Sequence, residues 1–193
     1  MTRGARLFAA VFVVGLALDL WSKEVAFRAV PPPGRPDIEV IEGFFYITQV
    51  RNPGMAWSLL QGVESWAWIL IRGTLSLILV RMYVVARRGP VPWWGHVAFA
   101  FLLAGALGNL YDNAFAQEGR VRDFLRFVFG GWSFPVFNVA DAMITVGAPL
   151  LFLYYSWAER KAKAAAAAEG REAADGGARP VEANRRPGEG GAA

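Results

Sequence analysis

The amino-acid sequence predicts an all-α membrane protein with four transmembrane helices and a small β-rich segment between the first and second helices. The chain has 193 residues and is 55% hydrophobic, and its apolar residues fall into long runs without a polar face. Each run reaches or approaches the roughly 20 residues that cross a hydrocarbon core. Most of the eight Trp residues lie at or near the ends of these runs, which is typical of the aromatic belts at a membrane surface.

The four helices are predicted at residues 6–27, 66–86, 93–115 and 136–157. The first also resembles a cleavable signal peptide, because Arg3 and Arg6 precede a short apolar run. No clear A-x-A site follows it, however, and charged residues lie in its second half, so a retained helix is expected. Basic residues cluster before the first helix, between the second and third, and after the fourth. This distribution predicts that both termini are cytoplasmic.

The regions outside the helices differ in composition. Residues 30–62 form the first outer loop, and its stretch 38–50 is rich in β-branched and aromatic residues, which predicts one or two strands broken near Gly43. In the second outer loop, residues 121–129 mix apolar and charged residues and are expected in the membrane interface. From residue 159 onward Ala, Gly, Glu and Arg dominate. Residues 1–158 are therefore expected to form the domain, and 159–193 a disordered cytoplasmic tail, although an Ala run at 164–168 could extend the fourth helix.

Composition also excludes several classes of chemistry. The chain has no Cys, so it has neither a thiol nucleophile nor a thiolate metal site. The one His, His96, is predicted near the cytoplasmic end of the third helix, far from the outer loops. Neither a metal nor a cofactor is expected. The net charge of +4 is explained by basic cytoplasmic segments, so no nucleic-acid partner is expected.

Polar and ionisable residues within the predicted helices each cost about 2.5–3.5 kcal/mol or more when charged, so they need a partner or a function. They are Asp19, Lys23, Arg72, Asn109, Asp112, Asn138 and Asp141. Asp19 and Lys23 are four positions apart and can form an ion pair on one helix face. The last four residues form two amide–carboxylate pairs with a spacing of three, both toward the outer ends of their helices. They are expected either to meet at one site or to act as hydrogen-bonding contacts between helices.

Asp123 gives this region a possible chemistry. It lies in the second outer loop between apolar residues and could approach Asp141, which lies near the start of the fourth helix. Two adjacent carboxyl groups share a proton, so that one acts as a base and the other as an acid, as in aspartic peptidases. A transporter with proton-relaying acids in its helices, or a non-catalytic scaffold, are the alternatives.

Five motifs in this order resemble those of the lipoprotein signal peptidases (signal peptidase II, prolipoprotein signal peptidase; aspartyl peptidase family A8). They are DLWSK at 19–23, VRNPGMAWS at 50–58, GALGNLYD at 105–112, GRVRDF at 119–124 and FNVAD at 137–141. The resemblance extends to about residue 158. The chain departs from the family pattern in two places. Asn113 occupies the position of a family Arg, and Met55 and Trp57 replace smaller or different residues in the second motif. Arg72 either replaces the missing charge or, as expected here, extends to the outer membrane interface.

This resemblance implies a reaction and a set of residues. The catalytic residues would be Asp123 and Asp141. The substrate-binding and supporting residues would be Asn52, Gly54, Asn109, Asp112, Asn138, Asp19 and Lys23. The implied reaction is cleavage of bacterial prolipoproteins before a diacylglyceryl-modified Cys, near the periplasmic face of the inner membrane. The partners would be these substrates and membrane lipids, the protein would be a monomer, and the β-rich loop would form a periplasmic cradle.

Overall fold

The structure is a computed structural model that describes residues 2–30, 36–53 and 65–176. Its helices are α1 (Arg3–Ala29), α2 (Ser65–Ala86), α3 (Trp93–Phe115) and α4 (Val139–Gly176), and a short 3-10 turn covers Gln117–Gly119. Its strands are β1 (Ile38–Ile41), β2 (Phe45–Asn52), β3 (Val121–Phe129) and β4 (Trp132–Ser133). Gly54 and the rest of 54–64, which belong to the predicted cradle, lie outside the described residues.

Four described helices are long and apolar enough to cross a membrane, which confirms the predicted fold class. The chain divides into two compact units, Met1–Tyr154 and Tyr155–Ala193. Within the second unit, the helix that begins at Val139 continues to Gly176. The prediction of disorder from residue 159 is therefore wrong for 159–176, where the Ala-rich sequence has a high helix propensity. Residues 177–193 lie outside the described part of the chain.

Local sequence explains where the helices begin and end. The hydroxyl of Thr2 accepts a hydrogen bond from the Ala5 amide (3.2 Å) and caps α1. Residue 31 is the first of three prolines, so α1 ends before a segment in which helical geometry is disfavoured. Helix α3 begins directly after Pro92, whose fixed φ suits a helix start.

Helix α3 is the centre of the bundle, and small residues allow the other helices to approach it. Most of its residues are buried, in contrast to those of the other helices. A Cβ atom on Gly105 would lie 2.5 Å from the carbonyl oxygen of Ala140, and one on Gly108 would lie 2.3 Å from Asp19 Oδ2. Close packing of this kind is typical of membrane helices. It brings α1 and the start of α4 against the C-terminal half of α3.

The strands form one antiparallel sheet in the order β1-β2-β3-β4. The turn between β1 and β2 contains Gly43, whose φ of +65° explains the break predicted there. The sheet is not built from the first loop alone, because β3 comes from the second loop and pairs with β2. The sequence analysis did not predict that 121–129 form a strand. This run of β-branched and aromatic residues follows Gly119 and precedes Gly130, which is a strand signal.

Candidate active site

Asp123 lies on β3, opposite Val50 of β2, and its side chain points into the molecule. The residue is only 1% exposed. Its carboxylate accepts hydrogen bonds from two amide groups, Asn52 Nδ2 at 2.9 Å and Asn138 Nδ2 at 2.6 Å. The sheet therefore holds Asp123 in one buried position, and each of its two carboxylate oxygens accepts a hydrogen bond from one amide.

Backbone hydrogen bonds join β3 to the segment that precedes α4. Leu125 and Phe137 exchange backbone hydrogen bonds, with N–O distances of 2.8 and 3.1 Å. The segment before α4 thus runs along β3 near Asp123, on the edge that faces away from β2. The sequence analysis placed Asn138 within the fourth helix. In the structure α4 begins at Val139, so Asn138 precedes the helix.

Asn138 and Asp141 cap the N-terminus of α4 in a reciprocal manner. The Asp141 amide donates to Asn138 Oδ1 (2.9 Å), and the Asn138 amide donates to Asp141 Oδ2 (3.3 Å). This arrangement is a capping box with Asp in the place of Glu or Gln. The second oxygen of Asp141, Oδ1, accepts from Asn109 Nδ2 at 2.8 Å. Asp141 is half-buried, so it remains the more accessible of the two carboxylates.

Two asparagines join these carboxylates into one network. Asn138 Nδ2 donates both to Asp123 and, at 3.1 Å, to Asn109 Oδ1. Asn109 in turn donates to Asp141. The structure thus brings together Asp123, Asp141, Asn109, Asn138 and Asn52, which the sequence places in four separate segments.

The buried position of Asp123 changes its acidity. Burial and, to a smaller extent, the negative charge of Asp141 raise the pKa of this carboxyl to about 7, although hydrogen bonds from Asn52 and Asn138 oppose the shift. A proton on Asp123 is therefore accessible near neutral pH. This is the condition under which one member of a carboxyl pair acts as an acid and the other as a base.

Lys23 is the central cation beneath the network. It is fully buried, and its Nζ lies 2.8 Å from Asp19 Oδ2 and 3.2 Å from Asp112 Oδ2. The same ammonium donates to Asn109 Oδ1 at 3.0 Å. Asp19 Oδ1 accepts from the Ala140 amide at 2.8 Å. The predicted Asp19–Lys23 pair is therefore present, and it also links α1 to α3 and α4.

Arg122 is a site residue that the sequence analysis missed. Its backbone amide donates to Asp112 Oδ2 (2.9 Å), and its guanidinium contacts Asp112 Oδ1 through Nε (3.0 Å) and Nη2 (2.8 Å). A further contact joins Nη1 to Glu24 at 3.0 Å. The signal was present in the sequence, since Arg122 directly precedes Asp123 on a strand and an acid inside a helix requires a cation.

The contacts of Arg72 fit the alternative in which it replaces the missing charge near Asn113. Its guanidinium Nη1 donates to Asn113 Oδ1 and approaches the carbonyl oxygen of Asn109 at 3.5 Å. It also lies over the ring of Trp68, 5.4 Å from the centroid. Asn113 Nδ2 donates to the Gly119 carbonyl at 2.7 Å. A cation from α2 thus stands beside the position where a positive charge is missing from α3.

Residues 11–157 match the family model described as signal peptidase (SPase) II, Peptidase_A8. The chain belongs to the signal peptidase II family. It is therefore a protease and a multi-pass bacterial membrane protein, which confirms the enzyme class predicted from the motifs.

Individual members of this peptidase family are similar over much of the chain. A lipoprotein signal peptidase of Anoxybacillus flavithermus is 36% identical over 159 residues, which cover 82% of this chain and 90% of that protein. One of Bacillus pumilus is 46% identical over 114 residues, which cover 59% and 70%, respectively. A solved structure described as a bacterial membrane enzyme superposes with a TM-score of 0.66 at 29% identity, covering 76% of this chain and 85% of that one.

The raised pKa of Asp123 predicts a pH dependence of stability. Since its pKa of about 7 in the folded protein exceeds the ordinary value of 3.8, folding takes up a proton between these two values. The free energy of unfolding should therefore fall as the pH rises through this range. Asp123→Asn cannot ionise, so the decrease in thermal unfolding midpoint between about pH 5 and pH 8 should be smaller in this variant than in the wild type. Asp37→Asn, just before β1 of the same sheet, should keep the wild-type slope. Equal slopes in all three proteins would contradict the assignment.

Proposed function

We propose that this signal peptidase II family member is an intramembrane aspartyl endopeptidase that removes signal peptides from bacterial prolipoproteins. It would cleave the bond before the diacylglyceryl-modified Cys, with Asp123 and Asp141 as the catalytic pair. The observation that carries this proposal is the shared network in which Asn138 binds Asp123 and Asn109 joins it to Asp141. Asp112 and Glu24 are also bridged, but through the cation Arg122, which neutralises them.

The two carboxyl groups have different surroundings, which supports different roles. Asp141 lies in the first turn of α4, where a negative charge is favoured by the helix dipole. In the proposed reaction its carboxylate takes a proton from the attacking water. Asp123 starts protonated and donates to the carbonyl oxygen of the scissile bond. The water oxygen bonds to the carbonyl carbon to form a tetrahedral intermediate. Asp141 then gives its new proton to the departing amide nitrogen as the C–N bond breaks, and Asp123 recovers a proton from a hydroxyl of the intermediate.

The neighbouring groups support this pair without reacting themselves. Lys23 and Arg122 neutralise Asp19 and Asp112. The negative charge that is not neutralised in this way belongs to the catalytic pair. Arg72 holds the Asn109 carbonyl and Asn113, and it lies within electrostatic reach of both Asp123 and Asp141. It would thus supply the positive charge that Asn113 lacks. Asn52, Asn138 and Asn109 would orient the carboxylates.

A lipid-modified substrate suits the surface next to the site. An apolar groove of about 370 Å³ runs between α1, α2 and α3 on the flank of the helix segment that carries Asn109 and Asp112. Its lining includes Leu16, Leu20, Ile69, Leu107, Leu110 and Tyr111. A diacylglyceryl chain or an apolar signal helix could enter this groove from the bilayer and remain in apolar surroundings, with van der Waals packing as the source of affinity.

The arrangement of charges supports a periplasmic active site. Arg3 and Arg87 line one cavity together with His96, at the beginning of α3, whereas Asn109 and Asp112 lie near its end. The positive-inside rule assigns the arginine-rich end to the cytoplasm. Both termini would then be cytoplasmic and the carboxylates would face the periplasm. The transporter alternative has lost its basis, because the family is one of peptidases.

The test is cleavage of a matched pair of precursors by the purified enzyme in liposomes. One precursor carries the diacylglyceryl group on its Cys and the other is unmodified, and mass spectrometry identifies the new N-terminus. We expect cleavage only of the modified precursor, at the bond before the Cys. Equal cleavage of both precursors would refute the substrate assignment, and a cut elsewhere would refute the proposed bond.

A further inference from the structure

A polar cavity lies at the end of the bundle away from the carboxylates. It has a volume of about 380 Å³, and its lining includes Arg3, Gly4, Arg87 and His96. At a rise of about 1.5 Å per residue, His96 is roughly 24 Å along α3 from Asp112. The cavity is therefore separate from the proposed catalytic site, and none of the residues used there lines it.

Packing between α1 and α3 shapes this cavity. A Cβ atom on Gly4 would lie 2.0 Å from His96 Nε2, so only Gly allows the imidazole to lie against the first turn of α1. The other ring nitrogen, Nδ1, is 3.0 Å from the hydroxyl of Tyr83. His96 is only 7% exposed. The imidazole is thus fixed in place at the wall of the cavity.

The charge of this cavity is not balanced within the surrounding helices. No Asp or Glu occurs in residues 2–18 or 65–111, which include the first half of α1, all of α2 and most of α3. Among the described residues, neither Arg3 nor Arg87 forms an ion pair. Helices α1 and α3 both begin at the cavity, so the positive ends of their dipoles add to the field. The N-cap of α3, Pro92, makes no side-chain hydrogen bond to its first turn.

We propose that this cavity binds the phosphate group of an anionic membrane lipid. Two arginines, a fixed imidazole and two helix N-termini match the charge and hydrogen-bonding capacity of a phosphodiester. Basic pockets between transmembrane helices are suited to such headgroups. A pocket near one end of apolar helices lies at headgroup depth, where the acyl chains can remain in the bilayer. The proposal does not depend on the peptidase activity.

The experiment measures thermal unfolding of the full-length protein in phosphatidylcholine nanodiscs that contain increasing fractions of phosphatidylglycerol. Arg87→Gln removes a lining charge. Arg88→Gln is the matched control, because both arginines are exposed but Arg88 does not line the cavity. About 0.5 M NaCl screens general surface attraction. A parallel arm adds inorganic phosphate to nanodiscs of phosphatidylcholine alone. A cooperative unfolding transition of each variant in phosphatidylcholine alone confirms that it is folded.

Phosphatidylglycerol should raise the unfolding midpoint of the wild type and of Arg88→Gln with half-saturating fractions within about twofold. In Arg87→Gln that fraction should increase at least tenfold, because the variant loses a charge-assisted hydrogen bond to the phosphate. The same Arg87-dependent stabilisation by inorganic phosphate alone would support the anion site with the free ion as its occupant. Equal losses in the two variants, or no stabilisation of the wild type, would overturn the proposal.

Discussion

Replacing either Asp123 or Asp141 by Asn is expected to reduce kcat/KM for a lipid-modified precursor by at least about 10³-fold. The two side chains would perform complementary proton transfers, so the loss of one cannot be compensated by the other. An asparagine keeps the approximate size of the side chain but neither ionises nor transfers a proton. The measurement is initial-rate cleavage in liposomes at equal enzyme concentrations.

The control for this experiment is Asp37→Asn. Asp37 forms an ion pair with Arg126 at 2.8 Å near the same sheet, but it makes no contact with the carboxylate network. Exposed ion pairs contribute about 0–1 kcal/mol, so this variant should retain nearly wild-type activity. If Asp123→Asn or Asp141→Asn kept more than about a tenth of the activity while correctly folded, the catalytic pair would be wrong.

Lys23→Met is expected to give the largest loss of stability, about 3–5 kcal/mol in the free energy of unfolding. The ammonium contacts Asp19 and Asp112, and all three side chains are fully buried. Methionine has a similar length but no charge, so two buried carboxylates would lose their common cation. Unfolding by heat or by a denaturing detergent, followed by helical circular dichroism, measures the effect.

A matched control for Lys23→Met exists further along the chain. Lys163 and Glu159 form an ion pair with the same spacing of four, at 2.6 Å, but both side chains are mostly exposed. Lys163→Met should therefore change the free energy of unfolding by less than about 1 kcal/mol. Equal losses in the two variants would show that burial of the Asp19–Lys23 pair does not matter. A small loss in Lys23→Met would contradict the central role of this cation.

Apolar periodicity and local signals predicted much of the architecture. The third helix begins and ends where the sequence predicted, because Pro92 defines its start and the apolar run is continuous. The break at Gly43 was also predicted, since a positive φ favours glycine. The end of α4 was not, because a charged Ala-rich segment has helix propensity but no core residues. Whether such a segment is helical depends on its own backbone hydrogen bonds, and composition alone does not reveal whether these form.

The partners of buried charges were the least predictable part of the site. Arg72 was expected at the membrane interface, but it turns toward Asn113 on the neighbouring helix. Arg122 was overlooked, although it binds Asp112 through both its backbone and its guanidinium. In both cases the choice depends on which helix or strand lies opposite. The spacing of residues within one segment carries no information about that neighbour.

The sequence by itself determined the four apolar helices, the strands of the first loop and the acidic residues whose cost within a membrane requires a partner or a function. These follow from the transfer cost of each side chain and from local backbone preferences, which act within one segment. Only the tertiary structure decided that β3 joins β2, that Asn138 lies before α4, and that two asparagines connect Asp123 to Asp141. These contacts depend on the close approach of α1, α3 and α4 at glycine positions, and such approach is a property of the packed bundle.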